Sequence, residues 1–93
     1  MMDISQLSDA ELLSLVAAGD AAAEEALAER YIRLVRICAR PLFLAGGDSE
    51  DLIQEGMLGL LSAIRQYDPA SNVPFKAYAE VCISNRIYSA IKS

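Results

Sequence analysis

Apolar residues recur at intervals of three and four through successive stretches of this chain, a spacing that makes amphipathic helices of them and leaves little room for strands. Ala23, Leu27, Tyr31, Leu34, Val35 and Cys38 form one such stripe. Leu52, Ile53, Met57, Leu60, Leu61 and Ile64 form a second, and Phe75, Tyr78, Ala79, Cys82, Ile83, Ile87 and Ile91 a third. Each stripe must be buried against another, so the expected fold is all-α, a compact bundle of about four helices.

Punctuation between the stripes sets the expected boundaries. Ser8 and Glu11 have the spacing of a capping box, and the short helix they open carries Leu12, Leu13, Leu15 and Val16 until Gly19 stops it. Asp20 caps a second helix that runs the length of the first stripe, with Pro41 expected to kink or loosen it near Ile37. Gly46 and Gly47 end whatever turn follows, and Asp48 or Ser49 caps a third helix reaching about Gln66. Gly56 and Gly59 inside that helix point to close approach of a neighbouring backbone, since glycine there costs about 1 kcal/mol. Tyr67 to Asn72 is a turn by its chemistry, and Pro74 opens a last helix.

At 93 residues the chain is expected to be one domain. Ile91-Lys92-Ser93 carries no C-terminal Gly, Pro or polar tail, so residues 1–93 are expected to be one helical domain cut from a longer chain. No apolar run approaches the roughly 18 residues that span a bilayer, and no signal peptide precedes the first helix, which reads as a cytoplasmic chain. Cys38 and Cys82 are the only cysteines and there is no histidine, so no metal site and no disulfide framework is expected. Without a Gly-rich phosphate loop, or a nucleophile and base in recognisable spacing, neither catalytic residues nor a cofactor is expected.

The net charge of −5 opposes nucleic-acid binding, but its distribution does not. Through residue 64, eleven acids face four bases, Arg30, Arg33, Arg36 and Arg40. From Arg65 onward, Arg65, Lys76, Arg86 and Lys92 face only Asp68 and Glu80, so any nucleic-acid surface should lie in the last third. Two features carry chemistry there and just before. Asp51, Gln54, Glu55 and Leu58 share one face of the third helix, an acidic, hydrogen-bonding strip suited to a basic helical partner, or simply a solvated face. Tyr67, Phe75, Lys76, Tyr78, Arg86, Tyr88 and Lys92 interleave aromatics with cations, which suits stacking of unpaired bases, although Phe75 and Tyr78 at helical spacing also fit a core.

The segment from Asp51 to Ile64, DLIQEGMLGLLSAI, resembles the DLIQEGxxGLxxAI signature of region 2 in sigma-70 family factors. Phe75-Lys76-Ala77-Tyr78-Ala79 is similar to that family's F-x-x-Y-A motif, and Tyr31 to Val35 with Ala39-Arg40 resembles the preceding helix. Val73 to Glu80 and Cys82-Ile83 give it the flavour of an alternative factor of sporulation or stationary-phase type. The resemblance implies that Asp51, Gln54, Glu55, Met57 and Leu61, with Leu58 on the same face, dock on the clamp-helix coiled coil of the largest subunit of core RNA polymerase. It implies that Phe75 and Tyr78 hold a base flipped from the promoter's minus-ten element. Asn85, Tyr88 and Ser89 would read its upstream duplex edge, with Lys76, Arg86 and Lys92 on the strand or its phosphates. An anti-sigma factor is a further implied partner. Two adjacent tryptophans of primary factors are replaced by Val81 and Cys82, and an aromatic by Val73, which implies a weaker wedge and narrower promoter choice. No segment resembles the family's distal helix-turn-helix. A protein-binding acidic adaptor without DNA contact is the rival expectation; it would keep the acidic strip and bury the aromatics.

Overall fold

The computed structural model describes residues 3–43 and 49–92, the side chains at 42, 43, 49 and 92 excepted. A single 3-10 turn, Ile4–Gln6, precedes five helices: α1 Asp9–Ala17, α2 Ala21–Arg30, α3 Ile32–Phe43, α4 Ser49–Gln66 and α5 Phe75–Lys92. Among the described residues there is no strand. The all-α expectation holds; the helix count is five because the stripe from Ala23 to Cys38 is broken at Tyr31.

The caps form as their chemistry requires. The Ser8 hydroxyl accepts from the Glu11 backbone N–H, and the Glu11 carboxylate accepts from the Ser8 N–H, at 3.2 and 3.1 Å. Gly19 takes a positive φ of 95°, which lets Asp20 N–H reach back to the Leu15 carbonyl and Gly19 N–H to that of Val16. Asp20 then caps α2 through the N–H groups of Ala22 and Ala23.

At Tyr31 the backbone leaves the helical region, with φ −106° and ψ 8°. The cause is tertiary. The Tyr31 ring packs edge-on against Phe75 with centroids 5.3 Å apart, its hydroxyl donates to Asp9, and the neighbouring Arg30 bonds the same carboxylate at 2.8 Å. Burial, followed by the Asp9 carboxylate, pushes the Tyr31 hydroxyl well above its ordinary pKa, so it remains a donor. The stripe itself survives the break, since Ala23, Leu27, Leu34 and Val35 are all buried. α3 continues through Pro41, and Ile37, whose carbonyl loses its usual donor to that proline, is exposed to water. Gly46, Gly47 and Asp48 lie outside the described residues.

α4 and α5 form an antiparallel hairpin that organises the core. A Cβ on Gly59 would lie 2.8 Å from the Cys82 carbonyl oxygen and 3.0 Å from Ile83 Cα. One on Gly56 would lie 2.7 Å from Val35 Cγ1 and 3.2 Å from Ile87 Cδ1, so Gly56 is where α3, α4 and α5 meet. Leu60, Ile83, Ile87 and Val35 are fully buried around this point, each contributing about 1.5–3 kcal/mol by burial. The connection after α4 is stapled by the Tyr67 hydroxyl, which donates to the Val73 carbonyl at 2.6 Å. Asp68 closes the turn by accepting from Ala70 N–H, while Ser71 N–H donates to its carbonyl.

Gly59→Ala should lower stability by about 1–3 kcal/mol in urea denaturation, because the new methyl meets backbone and only a helix shift relieves it. Gly56→Ala should also destabilise, but it meets a side chain, so Val35→Ala in the same chain should return part of the loss; additive effects would contradict the packing. The Ser8 backbone N–H, and then its hydroxyl, hold the Glu11 carboxyl below its ordinary pKa. The cap is therefore complete above the ordinary carboxylate value and weakens as pH falls through the depressed one. An NMR titration of Glu11 should place its midpoint below the ordinary glutamate value, and a midpoint at that value would rule the capping box out.

Candidate functional site

The polar residues of α4 stand on its outer face, as their spacing requires. Asp51, Gln54 and Leu58 are exposed, Leu58 by 46%, and Met57 and Leu61 are half-buried along the edge beside them. The ridge is thus acidic toward the start of α4 and apolar further on. Glu55 is engaged within the fold: its Oε2 accepts from Arg86 Nε of α5 at 2.9 Å, with both side chains partly exposed. Sequence spacing alone did not anticipate that pair.

The aromatics separate by depth. Phe75 is only 6% exposed and is held edge-on by Tyr31 and Tyr67, each with ring centroids 5.3 Å away. This depth fits the core alternative expected for Phe75, whose ring packs at the start of α5 against Tyr31 and the α4–α5 turn. Tyr78 is half-buried and leans on Tyr67 with centroids 5.6 Å apart, whereas Tyr88 is 52% exposed.

Beside these rings opens a cleft of about 430 Å³ between α1 and the α4–α5 turn. Leu13, Tyr31, Tyr67, Pro74 and Phe75 wall it, Lys76 stands at its edge, and Tyr78 is not among its lining residues. Asp9, Leu13 and Tyr31 were not identified as site residues from the sequence. Their one signal was indirect: the capping box fixes α1, but nothing in its pattern says where α1 docks.

On α5, Val81, Asn85, Arg86, Tyr88 and Ser89 are all exposed, as is Val73 in the turn before it. Asn85, Arg86 and Ser89 border a shallow groove of about 310 Å³ with Gly59, Ser62 and Cys82 of the hairpin. The Lys92 side chain lies outside the described residues. Burial pushes the Cys38 thiol up, and Glu80 adds to that while a hydrogen bond with Ser84 works the other way; the balance disfavours a thiolate. Among the described residues no group of side chains could hold a metal ion, and no helix is long and apolar enough to cross a membrane.

The family model for sigma-70 region 2 matches residues 27–93, which takes in α3, α4, α5 and the end of α2. The chain belongs to the sigma-70 region 2 family. It is 43% identical over 88 residues to RNA polymerase sigma-H factors of Bacillus licheniformis and Bacillus subtilis, covering 95% of this chain. It is 33% identical over 84 residues to the RNA polymerase sigma-E factor of Clostridium acetobutylicum, covering 90% of this chain. The chain spans 40%, 40% and 36% of the length of these relatives. Within this sigma-70 region 2 fold the two helices carrying the family signature, α4 and α5, are those that carry the ridge and the groove.

Phe75→Ala should lower stability by about 3–5 kcal/mol in thermal or urea unfolding, because it empties the junction of Tyr31 and Tyr67. Tyr88→Ala should stay within about 0.5 kcal/mol of the parent. Equal effects would mean that the two aromatics do not differ in role.

Proposed function

We propose that this domain docks on core RNA polymerase through the α4 ridge and holds the promoter's minus-ten element through α5 and the adjoining cleft, for transcription initiation. The observation that carries the reading is the placement of two unlike surfaces on one rigid hairpin. Asp51, Gln54 and Leu58 face solvent on α4, while Asn85, Arg86, Tyr88 and Ser89 face solvent on α5. Helices locked at Gly59 fix one face relative to the other, so a polymerase bound to α4 presents α5 in one orientation.

The ridge suits a basic helical coiled coil, the clamp helices implied by the family resemblance: carboxylates for cations at one end, Leu58 and Leu61 for apolar contact at the other. The cleft suits an unstacked base. Its walls are the rings of Tyr31 and Tyr67 with Pro74, and Lys76 stands where a backbone phosphate would pass. Stacking worth about 1–3 kcal/mol per base offsets the few kcal/mol lost when a base leaves the duplex. Phe75, largely buried, lines the cleft between Tyr31 and Tyr67, and Tyr78 backs the Tyr67 ring. The work is binding throughout, with no chemical step.

The net charge of −5 makes the isolated domain a feeble DNA binder, which fits a factor that needs the polymerase to bring it to a promoter. Val73 and Val81 at wedge positions fit an alternative factor of sporulation or stationary-phase type with narrow promoter choice. An anti-sigma factor competing for the same ridge and a cytoplasmic location complete the reading.

A pull-down with the isolated clamp coiled coil tests the docking face. Gln54→Ala and Glu55→Ala should each weaken capture by about fivefold or more, as loss of roughly 1 kcal/mol at an interface would, while circular dichroism and melting stay as in the parent. Undiminished capture by both variants would remove the ridge from the interface.

A further inference from the structure

Glu55 and Arg86 belong to different proposed surfaces, the polymerase ridge and the phosphate-binding face, yet in this structure they bind each other. We propose that Glu55 acts as an internal stand-in for a DNA phosphate, holding Arg86 until a cation of the docking partner takes Glu55 and frees Arg86 for the strand. This rests on the reading that α4 meets a basic partner and α5 meets phosphate.

The geometry has three parts. Arg86 Nε donates to Glu55 Oε2 at 2.9 Å across the α4–α5 hairpin, the distance of a charge-assisted bond. A carboxylate oxygen there offers the guanidinium what a phosphodiester oxygen would offer. Second, the side chains are 50% and 35% exposed, so both strand and partner can reach the pair. Pairs this exposed shift equilibria by only about two- to fivefold, which makes Glu55 an exchangeable partner and not a permanent one. Third, Arg86 borders the groove of about 310 Å³ that Ser62, Asn85 and Ser89 also line. A phosphodiester that reaches Arg86 there meets one amide and two hydroxyl groups as well, none of them engaged by a carboxylate.

The other two ion pairs do not have this character. Arg30–Asp9 and Arg65–Glu24 join helices at places outside the ridge and the α5 face, and neither exchange would connect the two surfaces. Only Glu55–Arg86, among the described pairs, links a residue proposed to meet protein with one proposed to meet DNA. Docking and strand binding then become coupled through one shared partner, and by linkage each strengthens the other to the same degree.

The test is an NMR titration of this chain at low salt with an oligothymidylate strand, following Glu55→Gln, Arg86→Gln, the double variant, and Glu80→Gln. The Glu80 variant removes one negative charge elsewhere on α5 and measures the general electrostatic gain. Glu55→Gln should tighten binding by about two- to fivefold beyond Glu80→Gln, and that excess should vanish in the Arg86→Gln background. Equal gains from Glu55→Gln and Glu80→Gln, or an excess that persists without Arg86, would overturn the exchange while leaving Arg86 as a phosphate contact. The double variant binding like Glu55→Gln, or no response to the strand from any variant, would instead overturn the phosphate reading of α5 and the exchange with it.

Discussion

The contact on which the rest of this structure depends is the approach of α4 to α5 at Gly59, where there is room for a hydrogen and not for a methyl group. Two helix backbones that close are locked in register, because each side chain near the crossing has a fixed neighbour. Gly56, one turn earlier, extends the same contact to α3 through Val35. The glycines weaken α4 as a helix and compensate by fixing the hairpin on which both proposed binding surfaces ride. Leu60, Ile83 and Ile87 fill the space around that seam, and the remaining helices pack on it.

Tyr31 is the second organising residue, and it acts by interrupting. A continuous helix from Asp20 to Phe43 would satisfy its own backbone but would not bring an aromatic ring between Phe75 and Asp9. The break exchanges regular helix at one residue for a ring contact and a hydrogen bond to Asp9, beside the Arg30 ion pair to the same carboxylate. Tyr31 also lines the cleft, as Tyr67 does. Local propensity loses here to packing, the usual outcome where a few tertiary contacts compete with one or two helical bonds.

Much of this was legible residue by residue. The capping box at Ser8, the positive-φ stop at Gly19, the cap at Asp20 and the turn at Asp68 are local chemistry, readable wherever the rest of the chain goes. The buried stripes and the close approach at Gly56 and Gly59 follow from periodicity and from the improbability of glycine in a helix. The outward placement of Asp51, Gln54 and Leu58 follows from the same periodicity. The break at Tyr31 was hidden because its causes, Asp9 and Phe75, are distant in sequence. The depth of Phe75 was one of two open readings: its place in the buried stripe pointed to a core, and the aromatic-and-basic run around it pointed to a ligand. The Glu55–Arg86 pair lies between residues that the motif assigns to different partners, so the motif itself pointed away from it.

The docking of α1 has a consequence for how the molecule breathes. Its buried leucines, Leu12 and Leu13, and the Asp9 contacts attach it to a body whose family-matched part starts only at residue 27. α1 also supplies one whole wall of the cleft, through Ala10, Leu13 and Ser14. The cleft therefore exists only while α1 is seated, and any guest lodged between α1 and Tyr67 slows the solvent exchange of amides in a helix that it scarcely needs to touch. Protection of α1 is in this sense a remote meter of occupancy.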